Sequence, residues 1–233
     1  VDAIERAIDK YGPDAVCRAL EPMLTPERIA RIDHVLAQRL ATVTAAVEDT
    51  YDPHNAAATI RTCEALGLQE LHVIEPGARF SAAKGVTRGA HRWIDLHRWP
   101  TAVEAVDELH ARGFRVYATL PDAKVSIEDV DVGSPLAVIF GNEHDGVSPS
   151  AVAACDASIT VPMFGFTESF NLSVTVGLAM GRLAQRRREH LGGHGDLEEA
   201  RKTRLRARWF ALRIRGVVGV LERALGQDLG QKT

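Results

Sequence analysis

The sequence holds 233 residues, 45% hydrophobic and 25% charged, which suits one α/β domain with terminal additions and is enough to bury a substantial core. No apolar run reaches the length of a membrane span, the opening Val1-Asp2-Ala3-Ile4-Glu5-Arg6 lacks a basic-then-apolar leader pattern, and Cys17, Cys63 and Cys155 form no CxxC pair. A membrane protein, a disulfide framework and a zinc site are therefore not expected, and a reduced, cytoplasmic protein is. The net charge of −3 speaks against a nucleic-acid binder, but it averages over two arginine-rich clusters, Arg182–Arg188 and Arg201–Arg215, that either hold phosphates or simply face solvent.

Residues 1–40 read as a helical N-terminal extension, with helix starts at Asp14 and at Thr25-Pro26, the latter a Thr cap before a Pro at the first helical position. The pattern then changes. Residues 41–50 read as a strand, Asn55–Leu66 as a helix closed by Gly67, and Leu71–Glu75 as a strand ended by Pro76-Gly77. Trp93–His97 is a further strand, Ala102–Arg112 a helix closed by Gly113, and Arg115–Leu120 a strand ended by Pro121. Pro135–Gly141 is nearly all apolar, as a strand covered on both faces requires. Ser148-Pro149 starts a helix, Ala157–Pro162 is a strand, and Asn171–His190 is a long helix. Strands alternating with helices over 41–190 predict a parallel sheet covered on both sides. Leu191-Gly192-Gly193-His194-Gly195 reads as a flexible break before a basic helical tail, 191–233.

The usual nucleotide-binding signatures of such a sheet are missing. No GxGxxG follows the first strand, and no P-loop, HExxH or GxSxG is present. Glu143, His144 and Asp145 are adjacent in one loop, which serves turn geometry or substrate contact better than a metal.

Three segments carry chemistry instead. In Asp52-Pro53-His54-Asn55 through Gly67, Asn55 stands where strand gives way to helix and Arg61 follows nearly two turns later, with Ile60, Leu66 and Leu68 to seat the element. Alone, Arg61 reads more safely as a surface arginine. In Val138 through Ser148, an apolar strand runs into Gly141-Asn142-Glu143 and then Gly146; parallel sheets bind ligands beyond such carboxyl ends. In Ile159 through Gly177, a strand ends at Pro162, an unusually apolar loop follows, and Ser169 and Asn171 precede a helix as caps or site residues.

In order and spacing, over about residues 42–190, these segments resemble the SpoU/TrmH branch of the SPOUT methyltransferases. The matching pieces are Asn55 with Arg61, Phe140-Gly141-Asn142-Glu143 with Gly146 and Ser148, and Val161-Pro162-Met163 with Ser169-Phe170-Asn171-Leu172-Ser173. Phe170 stands where the family more often has Leu. The helical start, with Arg28 and Arg31, and the Arg-rich tail look like the members that act on guanosine 18 of tRNA.

The resemblance implies an α/β parallel-sheet SPOUT fold with a deep trefoil knot at its C-terminal side, plus the N- and C-terminal helical extensions. It implies S-adenosylmethionine held by the loops at Thr119, Leu120, Gly141, Val161, Met163 and Phe170. It implies a catalytic set of Arg61, Asn55, Glu143, Ser169 and Asn171, no metal, and a homodimer whose site is completed across the interface. The reaction would move a methyl group to a ribose 2′-hydroxyl of tRNA, at guanosine 18 of the D-loop. Phosphate contacts are expected from Arg201, Lys202, Arg204, Arg206 and Arg208, from Arg182–Arg188, and from Lys84, Arg88, His91 and Arg92, with Trp93 as a stacking or core residue. The alternatives are another RNA site, ribosomal or in the anticodon loop, a non-catalytic RNA-binding protein on the same fold, and a flavodoxin-like nucleotide domain, for which Asp52-Pro53-His54-Asn55 is a poor phosphate loop.

Overall fold

The computed structural model describes residues 2–50, 52–75, 87 and 89–226. Two compact units divide it, one made of the chain up to Arg39 and from Gly195 on, the other of Leu40–His194. The sequence pattern divides the chain into three, at 40/41 and 190/191, whereas the two flanking segments form a single helical unit.

That unit contains α1 (Asp2–Tyr11), α2 (Pro13–Leu20), a 3₁₀ turn (Glu21–Met23), α3 (Pro26–Leu36), α8 (Glu199–Ala211) and α9 (Val217–Leu225). The second of these helices starts at Pro13, one residue before the Asp14 expected. Thr25 caps α3 as its sequence predicts, accepting from the Arg28 N–H. α8 is central and packs against α1, α2 and α3. Leu205, Ala207, Trp209, Phe210 and Ala211 are buried on it, and the guanidinium of Arg39 lies over the Trp209 ring at 5.2 Å.

In the larger unit, β1 (Val43–Glu48), α4 (Pro53–Ala65), β2 (Glu70–Ile74), β3 (Asp95–Trp99), α5 (Ala102–Ala111), β4 (Arg115–Thr119), β5 (Val125–Ser126), β6 (Leu136–Phe140), α6 (Pro149–Ala154), β7 (Ala157–Thr160) and α7 (Leu172–Leu191) follow in order. The seven strands form one sheet in the order β3-β2-β1-β6-β4-β7-β5, and every pairing is parallel. Every residue of β1, β2 and β6 is buried. Side chains alternate across the pleat: Val43, Ala45 and Val47 face Ile60 and Cys63 of α4 and Val176 and Met180 of α7, while Ala46 and Ile74 face Ala105, Val106 and Leu109 of α5. No helix among the described residues is long and apolar enough to cross a membrane.

Several expectations change. β5 was not foreseen; two residues are too few to show a period. β3 begins at Asp95, and Trp93 instead ends a 3₁₀ turn (Ala90–Arg92), half-buried, with Gln69 donating to its carbonyl. The side chains of the cluster Arg182–Arg188 have partners within the larger unit. Arg182 pairs with Glu128, Arg186 donates to the carbonyls of Ile127 and Val130, buried Arg187 to Thr42 Oγ1 and the Val132 carbonyl, and Arg188 to the carbonyls of Leu66 and His194. Gly195, read as part of a flexible break, is a close-approach residue: a Cβ there would stand 2.6 Å from the carbonyl oxygens of Ala37 and Arg39.

Candidate active site

The strand order reverses direction at β1, β6 and β4, the place where open parallel sheets bind ligands beyond their carboxyl ends. There the loops after β4, β6 and β7 enclose a cavity of about 330 Å³. Its walls include Thr119, Leu120, Gly141, Glu143, Val161, Met163, Ser169, Phe170 and Asn171, which the sequence had assigned to cofactor or catalysis. Phe140, Asn142, Gly146 and Leu172, which belong to the matching pieces but carry no assigned role, also line it, and Pro121, Val147, Thr160 and Thr175 complete the wall.

Each loop is tied down locally. After β4, Thr119 Oγ1 donates to the Ile139 carbonyl at 2.9 Å and the Leu120 N–H to that of Ile159 at 2.9 Å. After β7, Thr160 Oγ1 donates to the Pro121 carbonyl at 3.0 Å. After β6, Asn142 Oδ1 accepts from the His144 and Asp145 N–H groups at 2.8 and 2.7 Å, and the Gly146 N–H returns to the Asn142 carbonyl at 3.2 Å. A Cβ on Gly141 would lie 1.8 Å from the Gly146 carbonyl carbon, so only glycine fits. The loop ends at Ser148, whose Oγ caps α6 by accepting from the Ala151 N–H.

α4 meets these loops from the side. Its cap is Asp52, accepting from the His54 N–H at 2.8 Å, so Asn55 sits inside the first turn rather than at the junction expected of it. Asn55 Nδ2 donates to Glu143 Oε1, and Asn171 Nδ2 donates to Asn55 Oδ1 at 3.1 Å. A chain of donors therefore runs Asn171→Asn55→Glu143 and joins all three sequence segments. Asn171 also caps α7 through the Ser173 N–H at 2.9 Å.

Arg61 is not among the residues lining the cavity; it is exposed on α4 and its side chain makes no hydrogen bond or ion pair with the described residues. Desolvation pushes the Cys63 thiol up to about 12, and desolvation, with Asp156 and Glu48 adding, pushes Cys155 up to about 12. Among the described residues no group of three His, Cys, Asp or Glu side chains could hold a metal ion.

The RNA-contact residues fare differently. On α8, Arg204 pairs with Glu5 and Asp9, Arg206 with Asp33 and Glu21, Arg208 with Glu5, and Lys202 with Glu199. The acidic partners lie mostly in α1, the 3₁₀ turn and α3, far away in sequence, which is why the run from Arg201 looked unopposed. Arg92 is exposed, and His91 bonds Thr87 at 3.2 Å. Lys84 and Arg88 lie outside the described residues.

The unusually apolar loop after β7 opens an exposed apolar strip. Phe164 and Phe166 are 99% and 108% exposed, and Phe170, Val174 and Leu178 continue from them onto α7. Val174 and Leu178 share a helix face, a signal readable from their spacing.

Residues 42–181 match the model of the SpoU rRNA Methylase family. The tRNA (guanosine(18)-2′-O)-methyltransferase of Borreliella burgdorferi is 36% identical over 192 residues, 82% of this chain and 88% of the relative. The enzyme of the same description from Escherichia coli K12 is 34% identical over 187 residues, 78% of this chain and 81% of the relative. The crystal structure of the A. aeolicus TrmH/SpoU tRNA modifying enzyme matches with a TM-score of 0.73 at 30% identity, covering 81% of this chain and 97% of that one.

Proposed function

The chain belongs to the SpoU methylase family, and from that premise we propose that it methylates the ribose 2′-hydroxyl of guanosine 18 in the D-loop of tRNA, using S-adenosylmethionine. The observation that carries the reading is the convergence of three loops on one cavity beside the Asn171–Asn55–Glu143 chain.

The cavity suits the cofactor. Leu120, Val161, Met163 and Phe170 offer apolar walls to a nucleoside, and the loops bring backbone polar groups to its edges, the common composition of small-molecule sites. When bound there, S-adenosylmethionine supplies an activated methyl group on a sulfonium, so the protein has chiefly to align the acceptor. Arg61 is the acceptor's holder. A guanidinium resists deprotonation, so it grips the phosphate next to the ribose and orients the 2′-hydroxyl rather than serving as a free base. Asn55, fixed between Asn171 and Glu143, orients the ribose, and Ser169 shapes the wall beside the methyl donor. The hydroxyl proton passes to solvent water as its oxygen takes the methyl group.

The outward position of Arg61 supports a homodimer in which one copy's Arg61 serves the other's cavity. The exposed strip from Phe164 to Leu178 is the face we assign to that contact, since such a patch is unusual on a monomer. The strand order is compatible with a trefoil knot threaded through the loops after β6 and β7, which would hold the cavity's walls together without a glycine-rich phosphate loop. For RNA, Arg92 is the contact we favour; Lys202, Arg204, Arg206 and Arg208 would have to exchange their carboxylates for phosphates, and Arg201 is also engaged within the protein. A tRNA substrate fits a cytoplasmic protein.

The test is methyl transfer from labelled S-adenosylmethionine to unmodified tRNA, with the labelled nucleoside mapped. A 2′-O-methylguanosine in the D-loop supports the reading in full. Label in ribosomal RNA or the anticodon loop keeps the chemistry and overturns the site; cofactor binding with no transfer to any RNA leaves the non-catalytic reading.

A further inference from the structure

Glu48 ends β1 and is 8% exposed, a carboxylate taken out of water at the carboxyl end of the strand. A buried carboxylate is tolerated only when its oxygens find donors. Both do so on one residue: Oε2 accepts from the Ser148 N–H at 2.8 Å and Oε1 from the Ser148 hydroxyl at 2.7 Å. We propose that Glu48 is a positioning residue that clamps the loop 141–148 to the end of β1 and thereby sets Glu143 against Asn55; this rests on the methyl-transfer reading above.

The loop is stiff enough to carry such a constraint. Gly141 abuts the Gly146–Val147 peptide so closely that no Cβ fits, and the Asn142 side chain holds the His144 and Asp145 N–H groups on either side of the tip. A shift at Ser148 therefore moves Glu143 with it instead of being absorbed. The same end of β1 also leads into α4. Asp49 follows Glu48 with φ 47°, its N–H fixed to the Ile74 carbonyl at 3.0 Å, and the chain then reaches Asp52 and Asn55. Glu48 thus closes a ring: strand end to Ser148, loop to Glu143, Glu143 to Asn55, and α4 back to the strand end. Ser148 is fully engaged in it, donating to Glu48 and accepting from the Ala151 N–H.

The test compares Glu48→Ala and Glu48→Gln in the full chain. A glutamine can keep both contacts, its carbonyl accepting from the Ser148 N–H and its amide donating to Ser148 Oγ, while the charge is lost. The expected result is a kcat for tRNA methylation lowered about 10- to 100-fold in Glu48→Ala with little change in KM for tRNA, and recovered to within about threefold in Glu48→Gln. Hydrogen exchange of the 141–148 peptide, which does not depend on any activity, should speed up in Glu48→Ala and stay slow in Glu48→Gln. Unchanged exchange in Glu48→Ala overturns the clamp whether or not the protein methylates RNA. Normal kcat below the melting temperature, with only the melt lowered, reduces Glu48 to a structural residue; a Glu48→Gln variant as slow as Glu48→Ala assigns its role to charge instead.

Discussion

Asn171 donates from Nδ2 to Asn55 Oδ1 at 3.1 Å while its own Oδ1 accepts from the N–H and hydroxyl of Ser173 at 2.9 and 2.7 Å. One amide therefore both starts α7 and orients a residue of the site, and the two roles use different atoms. Asn171→Asp keeps the acceptor and loses the donor. Its melting temperature should stay near that of the wild type, while methyl transfer falls roughly 10- to 100-fold. Asn171→Ala should lose both, with a stability cost of about 1 kcal/mol for the missing cap. Paired melting and rate measurements separate the roles; an Asp variant of full activity would show that the Asn171–Asn55 bond has no part in catalysis.

Gly141→Ala tests the loop geometry directly. Its Cβ would lie 1.8 Å from the Gly146 carbonyl carbon, and backbone cannot yield as a flexible side chain tip can. Overpacking of this kind costs about 1–3 kcal/mol. Because the displaced strand end and loop form the cavity wall, affinity for S-adenosylhomocysteine should fall by about tenfold or more, read by calorimetry. Unchanged affinity would mean that the loop after β6 does not hold the cofactor.

Much of the site was legible because its residues sit at strand ends, where apolar runs stop abruptly at Gly141 and Pro162, and because three separate segments kept one order. The parallel sheet followed from alternation of strand and helix. What sequence could not show were partnerships across long separations. Glu48 finds Ser148 100 residues away, and Arg204 finds Glu5 199 residues away. A run of arginines without neighbouring acids looks like a phosphate strip, yet on α8 those charges meet carboxylates from the other end of the chain. The partners of Arg186 and Arg187 are hidden for a related reason: the carbonyls they satisfy belong to the chain between β5 and β6, and carbonyl partners leave no trace in a sequence.

A pH dependence follows from the sheet's edge. His97 on β3 stacks on buried His72 at 4.9 Å, and Trp99 Nε1 donates to His72 Nδ1 at 2.9 Å. Glu70 of β2, held by Arg112 after α5, and Asp95 of β3 complete the charges around it. Desolvation first, and then His72, hold His97 below its ordinary value, against the opposing pull of Glu70 and Asp95. The folded protein thus binds fewer protons here than the unfolded chain. That stability is complete above the unfolded value of about 6.5 and is lost as pH falls through it toward the folded value. The melting temperature should decline from pH 7 to pH 5, and His97→Gln should flatten that decline; equal slopes would discharge His97 from the effect.

Arg61 gives the sharpest test of assembly. It is exposed on α4 outside the cavity wall, whereas Glu143 lines that wall. If each site draws Arg61 from one copy and Glu143 from the other, Arg61→Ala and Glu143→Ala are each inactive alone but complement each other. A mixed dimer then carries one site with both changes and one with neither. Random co-assembly makes about half the dimers mixed, so activity should return to about a quarter of the wild type. Arg61→Ala alone should lower methyl transfer about 100-fold or more while S-adenosylhomocysteine binds within about twofold of the wild type, because the residue holds the acceptor and not the cofactor. Arg61→Lys should recover little, since an ammonium lacks the fork that grips phosphate and hydroxyl together. No recovery on co-assembly, with both parents folded and dimeric, would place Arg61 at its own copy's cavity.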